Sequence, residues 1–466
     1  MAIIKKQDAE TNRDMMLHGR LSRIIPTMAI PSVISALVTS FYSLADSFFV
    51  SQLGKDAVGA VGIAFTLDNI LTMFGMAIGT GASSYIARLL GAKNKKQAEE
   101  TLAVSVLSSF VIGIIFAFVG LIFQKPIMYA LGAREAGILS ESLQYSKYLL
   151  FATPIAATTF VVNQSLRAEG SPVFSMLGTI SGAIVNIGLC PLFVFVLDLG
   201  IAGAGMANMI SKCVSFLILL FPYIRGRSVL RMSYKNIRFE KSTLLEIGKM
   251  GLPVFSQRIL TNFVSVTANN AAAGFGVSAI AAISICNRAM QFFAAGLMGL
   301  GQGYSPVAGF NWGAERYDRV WDAFWFTFKA GIVVMLIICA PMFVFSKQFI
   351  GLFSQGDAEV LDIGLFAIRS QCIAMPIGAS IVVVSMTLSA LGKASSALLL
   401  GLSRQGICYI PMILILPRLF GVYGLAAASA ASDFFSVFIG APLAFMVLRT
   451  VREKMKTQEV LSIETE

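Results

Sequence analysis

The chain contains an internal repeat, because the stretch 31–91 matches the stretch 253–313 without a gap. Thirteen of the 61 aligned positions are identical, and many of the others exchange one apolar residue for another. The same register pairs Pro154 with Pro376 farther along the chain. A repeat of this length predicts two copies of one structural unit.

Composition indicates that both copies lie in a membrane. Hydrophobic residues make up 56% of the chain and charged residues only 13%, whereas a soluble domain averages about 25% charged residues. Apolar runs of about 20 residues are long enough to cross the hydrocarbon layer as helices, and the sequence contains twelve, without the alternation of a β-barrel. The predicted spans are 24–50, 57–80, 102–122, 145–164, 173–197, 201–224, 247–275, 279–304, 324–345, 364–390, 396–418 and 422–447.

Charge placement gives the predicted orientation. Most Lys and Arg residues fall between the spans on the side that holds both termini, as cytoplasmic loops do. With six spans each, the copies run in the same direction, so we expect an all-α polytopic membrane protein with two parallel six-helix bundles around a central cavity. The predicted segments are a cytoplasmic N-terminal segment 1–23, an N-lobe 24–224, a basic cytoplasmic linker 225–245, a C-lobe 246–447 and a cytoplasmic tail 448–466.

The remaining composition argues against other classes of protein. The six cysteines lie in apolar runs without CxxC spacing, and His18 is the only histidine, so we expect neither a metal site nor an enzyme. The net charge of +11 is not gathered into a basic patch with interleaved aromatics, which argues against nucleic acid. We expect no cleavable signal peptide, because the first 23 residues are polar and basic and contain no short apolar run before a cleavage site. We expect a monomer in the plasma membrane, in contact with lipids, because one chain supplies both halves of the cavity.

Two carboxylates in the first copy are candidate ion-coupling residues, since charges inside a membrane are expensive and mark functional sites. Asp46 lies in the outer half of the first span, and Asp68 lies near the middle of the second, where burial favours the protonated form. In the repeat they fall opposite Ala268 and Met290, so we expect coupling to belong to the N-lobe. The alternatives are a solvated position near the outer interface for Asp46 and a helix-capping or inter-helix hydrogen-bonding role for Asp68.

The second copy carries a different set of charges. Asp433, in the last span, falls opposite Lys212 when the register slips by one residue. We expect Arg258 or Arg288 to form an ion pair with Asp433, the alternative being direct contact with substrate. Side-chain amides are predicted to complete the polar lining. The predicted substrate-cavity residues are Asn69, Asn163, Gln164, Gln257, Asn262, Asn269, Asn287 and Gln291, and the predicted partners of the coupling site are Asn186 and Asn208.

Several motifs resemble those of the multidrug and toxic compound extrusion (MATE) transporters over nearly the whole chain. They are Ala29-Ile30-Pro31 with Asp46 fifteen residues on, residues 87–93 (ARLLGAK), residues 166–172 (LRAEGSP), and Leu402-Ser403-Arg404 with Pro411. The resemblance implies an exporting antiporter of two six-helix bundles, alternately open to either side and driven by inward H⁺ or Na⁺. It also implies that Asp46 is the coupling aspartate.

The chain departs from the family pattern at two places. Cys190 stands four residues after Asn186, where many members have an acidic residue, and the seventh span offers Gln257, Arg258 and Asn262 where some have a glutamate. Loss of an oxygen ligand favours H⁺ over Na⁺ as the coupling ion. We therefore expect H⁺-driven export of amphipathic, cationic organic compounds without a cofactor. The alternative is export of a lipid-linked or polysaccharide precursor.

Overall fold

The fold is built from helices. The computed structural model describes residues 9–354 and 357–465, and every regular element in these ranges is helical. Short π-helical turns, Leu192–Val196 and Ser403–Cys408, follow α7 and α14. The helices are α1 (Ala9–His18), α2 (Leu21–Ser51), α3 (Lys55–Gly91), α4 (Lys95–Ile122), α5 (Gln124–Ala130), α6 (Ala136–Ala168), α7 (Pro172–Pro191), α8 (Gly200–Ile224), α9 (Lys241–Ala273), α10 (Val277–Gly313), α11 (Tyr317–Val344), α12 (Ser346–Phe353), α13 (Ala358–Ala390), α14 (Ala394–Leu402) and α15 (Tyr409–Thr465).

The repeat is visible in the helix bounds. Helices α3 and α10 both contain 37 residues, α4 and α11 both contain 28, and α6 and α13 both contain 33. In each pair the two helices begin at residues that the sequence repeat aligns with one another, as Lys55 aligns with Val277. The sequence repeat is therefore a repeat of helical structure.

The helices have the length and composition of membrane spans. Ten segments of the described residues qualify, and the last of them, 394–460, contains two of the predicted spans. Gly421 separates these two, because its φ of 60° interrupts the helical backbone of α15. Helix α9 covers the predicted seventh span. The prediction of an all-α polytopic membrane protein is confirmed.

The chain divides into two compact units that exchange helix segments. The first contains Ile34–Gly251, and the second contains Leu17–Val33 together with the chain from Leu252. The start of α2 thus belongs to the second unit, and the start of α9 belongs to the first. The functional lobes 24–224 and 246–447 stay a prediction.

Two equivalent glycines allow the exchanged segments to pack closely. A Cβ on Gly81 of α3 would lie 2.2 Å from the backbone oxygen of Ile247 in α9. A Cβ on Gly303 of α10, the residue that the repeat aligns with Gly81, would lie 2.4 Å from the backbone nitrogen of Ala29 in α2. Only glycine permits this backbone approach, so each unit uses the same contact.

The linker between α8 and α9 is fixed to the first unit by Glu169. This residue follows α6, is only 3% exposed, and accepts hydrogen bonds from Tyr223 Oη, Ser228 Oγ and, at 3.1 Å, the backbone N–H of Leu230. Burial raises the pKa of Glu169 to about 7, against the lowering effect of these bonds. The predicted linker therefore has defined contacts with the repeat that precedes it.

Candidate functional site

Asp46 is a buried carboxylate in the C-terminal half of α2. Its side chain is 8% exposed, so the solvated alternative does not hold. Its Oδ1 lies 3.8 Å from Sγ of the fully buried Cys190, which donates a weak hydrogen bond from the end of α7. Alanines and valines of α2, α3 and α8 surround Cys190. The carboxylate therefore faces a thiol that packs among apolar side chains.

A chain of hydrogen bonds approaches Asp46 from α7 and α8. Asn208 Nδ2 donates to Tyr42 Oη at 2.7 Å, one helical turn before Asp46. Ser211 Oγ donates to the backbone oxygen of Asn208 at 2.8 Å and accepts from Asn186 Nδ2 at 3.5 Å. Tyr42 and Ser211 are not among the predicted site residues; the i−4 spacing from Asp46 is the signal that could have identified Tyr42.

Each of the two predicted asparagines, Asn186 and Asn208, has a buried side-chain oxygen that can accept a hydrogen bond. Within the described part of the chain, neither Asn186 Oδ1 nor Asn208 Oδ1 has a hydrogen-bond partner. An unsatisfied buried acceptor costs about 1–3 kcal/mol and is rare in folded proteins. The structure thus brings Asn186 and Asn208 into one network with Tyr42, with acceptor capacity left over.

Asp68 forms an ion pair across two helices. Its Oδ1, on α3, lies 2.7 Å from Nζ of Lys212 on α8, and both side chains are about three-quarters buried. The pair compensates two charges that would each be expensive alone. The structure shows the inter-helix contact that was the alternative for Asp68, and a role of Asp68 in coupling stays a prediction.

Asp433 is also paired, but not with the predicted partner. Its Oδ1 and Oδ2 lie 2.7 and 3.4 Å from Nε and Nη2 of Arg404, whereas the side chains of Arg258 and Arg288 are exposed. The prediction that Arg258 or Arg288 pairs with Asp433 is wrong. Arg404 lies in the π-helical turn that follows α14, and this turn directs its side chain to α15. Arg404 lies within the eleventh predicted span, 396–418, and this position of a charged residue is the signal that could have identified it.

The two ion pairs occupy related positions with opposite polarity. Lys212 and Asp433 are equivalent in the repeat after the one-residue slip. Lys212 pairs with Asp68 on α3, and Asp433 pairs with Arg404 in the turn after α14. Each repeat therefore neutralises a buried charge at this place with a partner from its own unit.

Among the predicted cavity amides, Asn163 serves the packing of α6 on α7. Its Nδ2 donates to Ser175 O and Thr179 Oγ1, both at 3.2 Å, and its Oδ1 accepts from Ser175 Oγ at 2.9 Å. It is thus occupied between helices rather than free to line a cavity. The side chain of Asn269 lies outside the described part of the structure. The exposed amides are Asn69, Asn262, Asn287 and Gln291, and the half-buried ones are Gln164 and Gln257.

A repeated bundle of membrane helices with a few buried charges inside the spans is the architecture of a transporter. No group of three or more His, Cys, Asp or Glu side chains able to hold a metal occurs among the described residues. The MatE family model matches residues 31–192 and 253–415, once in each repeat. The chain belongs to the MATE family of membrane transporters.

Individual relatives agree with this assignment. The multidrug export protein MepA of Staphylococcus saprophyticus is 27% identical over 398 residues, which is 85% of this chain and 87% of that protein. MepA of Staphylococcus haemolyticus is 26% identical over 439 residues, 94% of this chain and 95% of its own.

Solved structures share the fold. A MATE protein crystallised with MaL6 has a TM-score of 0.89 at 22% identity and covers 94% of this chain and 99% of its own. The outward-facing structure of a multidrug resistance MATE transporter of the MOP superfamily also has a TM-score of 0.89 at 22% identity, over 94% of this chain and 98% of its own. The predicted twelve-helix, two-repeat architecture is therefore confirmed.

Proposed function

We propose that this protein exports small amphipathic organic compounds, mainly cations, in exchange for inward H⁺, by alternating access across the plasma membrane with both termini in the cytoplasm. The burial of Asp46 against the Cys190 thiol carries the proposal. Membership of the MATE family and similarity to two proteins called multidrug exporters support the class of substrate.

The surroundings of Asp46 favour H⁺ over Na⁺. A hard cation takes about six oxygen ligands, but the neighbour of the Asp46 carboxylate is a sulfur atom, Sγ of Cys190, 3.8 Å from Oδ1. The unpaired oxygens of Asn186 and Asn208 supply at most two more hard ligands. A proton needs only the carboxylate, and a neutral carboxylic acid is the form that an apolar pocket favours.

Coupling follows because the proton and a cationic substrate compete: each favours a different conformation of the first repeat, and protonation of Asp46 weakens the binding of a cation. A charged Asp46 attracts a cation, whereas a neutral Asp46 removes that attraction and offers a new O–H donor. The unpaired acceptors of Asn186 and Asn208 are suited to such a donor or to a water that relays it. Both ligands then bias one conformational equilibrium of the helices that hold these residues.

The distribution of positive charge supports organic cations over an anionic, lipid-linked cargo. Of the intramembrane cations, Lys212 is paired with Asp68 and Arg404 is paired with Asp433. Neither of these two cations is therefore free to meet an anionic group. A pathway for an anionic precursor would need more unpaired cations.

The test is Asp46→Asn in proteoliposomes that carry a fluorescent organic cation. With an imposed pH gradient we expect the variant to lose gradient-driven transport while it keeps the wild-type thermal midpoint. Asp198→Asn, the same change at an exposed turn between α7 and α8, is the matched control and should transport normally. Full transport by Asp46→Asn, or transport by the wild type that needs a Na⁺ gradient and ignores the pH gradient, would overturn the proposal.

A further inference from the structure

The second unit contains a cavity of about 720 Å³ between α11, α13 and α15. This volume lies in the range of about 300–1,000 Å³ that is usual for small-molecule sites. Trp321, Trp325 and Phe328 of α11 form an aromatic wall, and aliphatic side chains such as Ile377 of α13 and Ala444 of α15 form much of the opposite side. The cavity is therefore shaped by large, apolar groups.

Positive charge is concentrated at one end of this cavity. Arg449 and Arg452 of α15 are the charged residues among its described lining residues, and both are exposed. Arg449 Nε lies 2.7 Å from Oε1 of Glu453, whereas Arg452 forms no ion pair with a described residue. Arg452 therefore has a full positive charge to offer to a ligand.

The lysines nearby add to this field. Lys393 Nζ, between α13 and α14, donates to Thr450 Oγ1 at 2.9 Å, next to Arg449 in the sequence. Burial, together with the positive charge of Lys454, lowers the pKa of Lys393. Like charges gathered here are unfavourable unless an anion joins them.

The corresponding place in the first repeat is covered by the chain itself. Trp321 falls opposite Glu99 of α4 in the repeat. Glu99 Oε1 accepts from the backbone N–H of Arg231 at 3.1 Å, and its Oε2 accepts from Asn236 Nδ2 at 3.2 Å, so the linker lies on α4. In the second repeat the chain before α2 contacts α11 at Arg319, whose Nη2 donates to the backbone oxygen of Gly19 at 2.6 Å, whereas Trp321 lines the cavity.

We propose that this cavity binds an anionic phospholipid from the leaflet at the C-terminal end of α15, with an acyl chain along Trp325 and Phe328 and the phosphate between Arg449 and Arg452. Guanidinium groups recognise phosphate through paired hydrogen bonds. Basic pockets between membrane helices bind anionic headgroups, and tryptophans lie at the level of the headgroups. A zwitterionic lipid carries its own ammonium beside the phosphate, and a cationic substrate would meet two arginines, so both fit less well.

Binding of a lipid in the cavity can be measured by quenching of tryptophan fluorescence. The chain contains three of them, and Trp321 and Trp325 line the cavity. Phosphatidylglycerol with brominated acyl chains quenches a tryptophan that it touches, and brominated phosphatidylcholine is the comparison, both titrated into the purified protein in detergent micelles. The double variant Trp321→Phe/Trp325→Phe retains Trp312 and measures the background.

We expect half-maximal quenching at about a tenfold lower fraction of phosphatidylglycerol than of phosphatidylcholine, because each arginine near a headgroup of net negative charge contributes roughly a fivefold gain over a neutral headgroup and Glu453 neutralises part of one arginine. Arg449→Gln/Arg452→Gln should remove this preference without changing the fold, since both side chains are exposed. Arg418→Gln, an exposed arginine elsewhere on α15, should retain it.

A second variant tests the apolar part of the site independently. Ala444→Phe fills the cavity and should weaken quenching by phosphatidylglycerol while Arg449 and Arg452 remain. Equal quenching by the two lipids in the wild type, or a preference that survives loss of both arginines, would overturn the proposal. Displacement of the brominated lipid by the cation tetraphenylphosphonium would overturn it too, because the cavity would then be a substrate site.

Discussion

The ion pair between Arg404 and Asp433 makes a quantitative prediction about stability. The contacts of 2.7 and 3.4 Å form a two-pronged interaction, with the Asp433 side chain 5% exposed and that of Arg404 26% exposed. The perturbations are Arg404→Gln, Asp433→Asn and the double variant. A double-mutant cycle separates the interaction between the partners from the cost of each change.

The magnitude follows from distance and burial. Two charges about 4 Å apart attract by about 4 kcal/mol at an effective dielectric constant of 20. Neutralising one partner leaves the other charge buried and should lower the free energy of unfolding by about 3–5 kcal/mol. The double variant removes both charges and should lower it by less than the sum, which gives a coupling energy of roughly 2–4 kcal/mol.

The assay is equilibrium unfolding by sodium dodecyl sulfate in mixed micelles, followed by tryptophan fluorescence. All three tryptophans, Trp312, Trp321 and Trp325, lie in the second unit, which also holds the pair, so the signal reports the relevant part of the chain. The matched control is the Arg449–Glu453 pair, which has the same 2.7 Å contact but is exposed. Its coupling energy should be no more than about 0.5 kcal/mol.

The result that would refute this reasoning is a coupling energy for Arg404 and Asp433 as small as that of the exposed control. Burial would then contribute nothing to the interaction. A double variant less stable than the sum of the single ones would also contradict it, because the two charges would not be compensating one another.

Two further predictions concern titration and packing. The pKa of Glu169 is about 7 in the folded protein, against its ordinary value of 4.5, so the stability it contributes is complete below pH 4.5 and is lost as the pH rises through 7, a change of roughly 3 kcal/mol. Glu169→Gln should therefore flatten the rise in thermal midpoint between pH 8 and pH 5; an unchanged slope would exclude Glu169 as its source. Gly303→Ala should lower the free energy of unfolding by about 1–3 kcal/mol, because the methyl group meets the backbone of Ala29. Gly296→Ala, on the same helix with open space at its Cβ, should be neutral or stabilising, and equal losses at both glycines would contradict the packing argument.

Much of the fold could be predicted from the sequence because hydrophobic length and repetition are properties of the chain itself. The register that aligns Pro31 with Pro253 reappears in the starts of α3 and α10 and of α6 and α13. The division of α2 between the units could not be predicted, since it depends on where Ala29 packs and not on its apolar character. Its only trace in the sequence is the pair of equivalent glycines, Gly81 and Gly303.

A site residue can be predicted from the sequence when its residue type alone marks it. It is harder to predict when its role depends on which helices the fold brings together. Asp46 is recognisable because a carboxylate inside an apolar span is energetically expensive and therefore indicates a functional role. Asp433 is recognisable as well, but its partner is not, because a π-helical turn brings Arg404 to it and residue spacing does not reveal such a turn. Asn163 differs from its prediction for a related reason, since an amide in a span serves equally to join two helices.

The exchange of helix segments has a consequence for biosynthesis. Residues 17–33 leave the ribosome among the first, yet the compact unit to which they belong is completed only with the chain beyond Leu252. Domains commonly fold in order as they are synthesised, but here the second half must exist before the beginning of α2 acquires its packing. A nascent chain truncated within the linker would leave this stretch without its native partners.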